Sequence, residues 1–115
     1  MTQHVFESIT KIFAIICKAD GVREEEIRVF YRFLESSFDE VKVRFFQQYF
    51  TSYLETIEGS QAELETVTAN AATELNLEDR FLIFVRLSEL VRADGILTKS
   101  ESGHLAVVAR IFRLS

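Results

Sequence analysis

Between residues 5 and 19 the apolar side chains Val5, Phe6, Ile9, Ile12, Phe13, Ile16 and Cys17 recur every three or four positions, the period of one face of an α-helix. Gly21 supplies the left-handed residue that ends such a helix, and the period resumes over 23–38 through Ile27, Phe30, Tyr31 and Leu34. The two segments predict a helical hairpin. Glu24, Glu25 and Glu26 fall in the first turn of the second helix, where negative charge complements the exposed amides. Asp39 is placed to cap a third helix running to about residue 57. Its aromatic stripe, Phe45, Phe46, Tyr49, Phe50 and Tyr53, is expected in the core, with a groove for a partner as the alternative. Ser60 with Glu63 fits a capping box that opens a fourth helix, whose thin stripe of Leu64, Val67, Ala71 and Leu75 predicts a peripheral position. Asn76 with Asp79 starts a fifth helix, which carries Phe81, Leu82, Phe84, Val85, Leu87 and Leu90 as far as Ala93. Being apolar nearly all round, it is expected to be the buried central helix. Thr98 with Glu101 is another capping box, opening a last helix through Leu105, Val108, Ala109 and Phe112. No strand-like alternation interrupts the series, so the pattern predicts an all-α fold, a compact bundle of about six helices.

The absence of proline removes the strongest helix breaker from every segment and reinforces that reading. At 115 residues the chain has room for one core, hence a single domain over 1–115. Its helix-like pattern runs almost to Ser115, as in a domain excised from a longer multidomain protein. The longest unbroken apolar run, 12–17, is far short of the ~18 residues that a spanning helix needs, so no transmembrane segment is expected. The N-terminus has no basic region ahead of its apolar stretch, which argues against a secretory signal. A single cysteine, Cys17, set within an apolar run, suits a reducing compartment and a packing role, and the chain reads as cytoplasmic. A net charge of −5 with scattered basic residues argues against nucleic acid as a partner.

Candidate chemistry comes from a duplication. Ala19-Asp20-Gly21 and Ala93-Asp94-Gly95 each follow a basic residue, Lys18 or Arg92, at the end of a long apolar stretch, and each is followed by a glutamate, Glu26 or Glu101. The flanks also align: Cys17 with Val91, Ile16 with Leu90, Phe13 with Leu87 and Ile9 with Ile83. Such a repeat predicts two copies of one supersecondary unit paired about a pseudo-two-fold axis. Asp20 and Asp94 sit at helix C-termini, where the macrodipole disfavours a carboxylate by roughly 0.3–1 kcal/mol. Two readings account for that cost. In one, Asp-Gly is turn chemistry and nothing more. In the other, Asp20, Glu26, Asp94 and Glu101 converge to hold a hard divalent cation through oxygen ligands. An EF-hand loop does not explain them, because its first and third ligand positions would fall on Leu90 and Arg92, or on Ile16 and Lys18. Lys18 and Arg92 are ordinary last-turn cations or partners of nearby carboxylates. His4 and His104 lack a second nitrogen or sulfur ligand at zinc spacing. No nucleophile elbow and no phosphate-cradling glycine loop is present, so the chain reads as non-enzymatic.

The duplicated Lys/Arg-Ala-Asp-Gly followed by Glu, at the ends of the first and fifth helices, resembles the TerB-like domain family over about residues 6–112. That family includes tellurite-resistance proteins and the N-terminal region of a membrane-associated J-domain co-chaperone. The resemblance implies an all-helical domain with internal two-fold similarity and metal-chelating acidic residues, carried here by Asp20, Glu26, Asp94 and Glu101. It also implies an accessory module that couples a larger protein or a stress-response complex to another protein or domain, in reach of the membrane surface through that partner. The rivals are a regulatory domain of a J-domain co-chaperone and a metal-dependent hydrolase, the latter lacking any visible general base. One departure stands out. The first copy has one residue fewer between glycine and glutamate, which would turn Glu26 by about 100° on its helix and leave Glu25 or Glu24 as substitutes.

Overall fold

Six helices form in the order α1 (Gln3–Asp20), α2 (Glu24–Ser37), α3 (Glu40–Thr56), α4 (Gln61–Glu74), α5 (Leu77–Val91) and α6 (Lys99–Ile111). The computed structural model describes residues 3–93, 95 and 97–114; among these there is no strand, and no helix is long and apolar enough to cross a membrane. Local chemistry sets the boundaries. Asp39, Ser60, Asn76 and Thr98 each accept, through the side chain, the backbone N–H three residues on, which satisfies one of the amides that open α3, α4, α5 and α6. Thr98 and Glu101 complete the reciprocal capping box. At α4 the Glu63 carboxylate instead reaches back to the N–H groups of Glu58 and Gly59, tying the preceding loop to the helix.

The central helix is α1, not α5. Every side chain from Ile12 to Cys17 is buried, and α3, α4, α5 and α6 all pack against α1, while α2 lies across α3 and α5. The buried Thr10 does not spoil the position, because it donates its hydroxyl to the Phe6 carbonyl at 2.7 Å. α5 buries Ile83, Leu87, Leu90 and Val91 but leaves Leu77 and Phe81 exposed, so its all-round apolar sequence does not translate into all-round burial. α4 is more engaged than its thin stripe suggests and packs on both α1 and α6 through Leu64, Thr68 and Ala71.

The α3 stripe divides. Phe46 and Phe50 are fully buried and join Phe6, Phe13, Phe30, Phe33 and Phe38 in a run of contacting rings, with Phe6 to Phe38 at 4.1 Å and Phe30 to Phe50 at 4.7 Å between centroids. Phe45 is exposed, and Tyr49 and Tyr53 are half-buried beside it. A radius of gyration of 12.9 Å is that of a compact domain of this length, about 13 Å.

Candidate functional site

Two interhelical corners carry the duplicated motif, and the glycine of each takes a left-handed conformation. In the first, α1 ends at Asp20, Gly21 takes φ 83°, and its N–H reaches the Lys18 carbonyl at 3.4 Å. In the second, Gly95 takes φ 80° and its N–H donates to the Arg92 carbonyl at 2.9 Å. A side chain at either glycine would meet open space, so these positions select glycine for its backbone conformation alone. Asp94 lies outside the described residues.

The shorter first copy does not turn its glutamate away. Arg23 is the N-cap of α2 and Thr98 that of α6, which makes Glu26 and Glu101 the third residue of their respective helices. The missing residue is absorbed in the loop after Gly21, before the helix begins. Glu26 and Glu101 are 5% and 3% exposed, whereas Glu24 and Glu25 face solvent.

The corners approach each other around a buried thiol. Cys17, one helical turn before Asp20, donates its Sγ–H to Glu26 Oε2 at 3.9 Å. Its pKa is pushed far above the ordinary thiol range, first by burial and then by the negative charges of Glu26, Glu101 and Asp20. Three of the four acidic residues singled out from the sequence therefore share the surroundings of one sulfur, although they come from α1, α2 and α6. Ala93, in the second corner, lines a cavity of about 310 Å3 together with Glu25, Glu26, Arg28, Val29 and Arg32 of α2. The second corner thus lies beside the first turn of α2.

These carboxylates are unequally satisfied. Glu101 Oε1 accepts the Thr98 N–H at 3.1 Å, while Asp20 Oδ2 is buried without a hydrogen-bond partner. A buried carboxylate oxygen without a partner is the donor chemistry that a hard cation takes. Among the described residues, no three His, Cys, Asp or Glu side chains are already arranged to hold one ion.

The surrounding cations have other work. Lys18 extends its Nζ to the Leu54 carbonyl at 3.1 Å, bracing the end of α1 against the end of α3. Gly59 presses on the same place, since a Cβ there would lie 2.9 Å from Ala19 N and from Lys18 Cβ. His4 pairs with Glu74 at 2.6 Å on the surface, and His104 is half-buried on α6 with an unpartnered Nδ1. The role missed in the sequence is that of Cys17. Its spacing of one turn from Asp20 was the available signal, yet the glutamates that meet it arrive from distant helices.

The profile of one protein family, described as tellurite resistance protein TerB, matches residues 7–115. No curated protein and no solved structure gives a match.

Proposed function

The chain belongs to the family of the tellurite resistance protein TerB, and on that premise we propose that it is a non-enzymatic interaction or sensing module that takes a divalent cation between its two Asp-Gly corners. The ligands are Asp20, Glu26, Asp94 and Glu101. The observation that carries this reading is the buried, unpartnered Oδ2 of Asp20, on the helix end where the buried Glu26 meets Cys17 and the charges of Asp20, Glu26 and Glu101 all act on that thiol. Negative groups gathered away from water repel one another and lose hydration, and a divalent ion offsets both costs at once. An ion held there joins the ends of α1 and α5 to the starts of α2 and α6. Its arrival is then felt by four helices, which gives a cytoplasmic module the means to present a different surface to a partner protein or domain in a stress-response complex.

Calorimetric titration with calcium, magnesium, manganese and zinc tests the reading. At least one ion should give saturable heat, and at about a hundred times its Kd should stabilise the fold by about 2.7 kcal/mol, a melting shift of about ten degrees. Asp20→Ala and Asp94→Ala should each abolish both effects. If all four ions leave heat and melting temperature unchanged, no cation binds and Asp-Gly is turn chemistry alone.

A further inference from the structure

The outer face of α3 exposes apolar side chains. Val41 is 78% exposed and Phe45 45%, and a groove of about 360 Å3 runs on from them, lined by Phe45, Gln48, Tyr49, Ser52, Tyr53 and Thr56. Phe45, Tyr49 and Tyr53 form a ladder one helical turn apart, with centroids at 6.1 and 6.3 Å, so the wall of the groove is already ordered in the single chain. Exposed aromatic area of this kind marks an interaction surface.

The charges on this face decide its occupant. Along the same flank of the stripe stand Arg44 near the start of α3 and Glu55 near its end, both exposed. From this face we infer that α3 pairs with α3 of a second copy of the chain, antiparallel and about a two-fold axis between Gln48 and Tyr49. In that register Phe45 of one copy stands level with the small Ser52 of the other, between Tyr49 and Thr56, a large side chain set into a hole. Val41 stands level with Thr56. A two-fold axis perpendicular to the helix pair keeps each flank facing its own counterpart, so Arg44 of each copy falls within about one turn of Glu55 of the other. The interaction is made twice, and the opposed helix dipoles agree with it. A uniformly basic or acidic partner would be repelled at one end of the same face. Arg44 now pairs within its own helix with Glu40 at 2.9 Å, an exposed contact that is easily exchanged. A single helix face is a small interface, below about 1,200 Å2 in total, so the dimer is reversible and concentration-dependent.

Sedimentation equilibrium from micromolar to millimolar chain concentration should show a monomer–dimer equilibrium. Phe45→Glu should weaken it at least tenfold, with helical content and melting temperature as the check on folding. Val41→Glu, at a more exposed site, serves the same purpose should Phe45→Glu disturb the fold. Arg44→Glu and Glu55→Arg should each lower self-association, whereas an equimolar mixture of the two should form heterodimers, because every cross-copy pair is then of opposite sign. A wild-type chain that stays monomeric throughout, a dimer indifferent to both glutamate substitutions, or a mixture no better associated than its components overturns the pairing.

Discussion

Cys17 shows how much a single residue's behaviour depends on neighbours that its own segment does not contain. Burial and three nearby carboxylates raise its pKa, so in the folded chain the thiol keeps its proton at pH values where an unfolded chain, ionising near the ordinary 9.0, has lost it. Above that pH the unfolded state binds fewer protons than the folded one, and stability therefore falls as pH rises. The contribution is fully present below the unfolded pKa and is lost above it. Between about pH 8 and about pH 10 the urea midpoint of the wild type should fall more steeply than that of Cys17→Ala, in which this group is gone. Parallel slopes would show that the thiol is not held as described. Cys17 could be read from the sequence as buried, because six consecutive apolar residues end on it. Its acidic company could not, since Glu26 and Glu101 come to it through the packing of α2 and α6. That Glu26 is buried while Glu24 and Glu25 stay exposed depends on which residue caps α2.

At the level of elements, the helix starts were legible because capping is local. Ser60, Asn76 and Thr98 stand where their side chains can take an amide three residues on, and that spacing is written in the chain. Thr98→Ala removes the hydroxyl half of the α6 box and should cost about 1 kcal/mol, read as a lower melting temperature with the helical content of the native state unchanged. An unaltered melting temperature would mean that Glu101 alone secures this end. Which helix occupies the centre was not legible. The hydrophobic pattern of a helix reports how wide its apolar face is, not how many neighbours will cover it. α1 acquires four packing partners and hides Thr10 by bonding it internally, whereas α5, with the more uniformly apolar sequence, leaves Leu77 and Phe81 in water.

For the molecule as a whole, the loop between α3 and α4 holds the first corner in place. Glu63 gathers the amides of Glu58 and Gly59, Gly59 lies against Lys18 and Ala19, and Lys18 reaches across to Leu54. Gly59→Ala forces a methyl to within 2.9 Å of backbone and side-chain atoms and should destabilise the fold by about 1–3 kcal/mol. Gly103→Ala, on α6 with open space around it, should instead raise the melting temperature, by roughly 0.5–1 kcal/mol of added stability. Equal effects at the two sites would mean that the strap is not tight. The chain has no tryptophan, and its three tyrosines are Tyr31 on α2 with Tyr49 and Tyr53 on α3. With no tryptophan to dominate, two of the three tyrosine fluorophores stand in consecutive rungs along the groove. The molecule comes with its own optical label where contact with another chain would be seen.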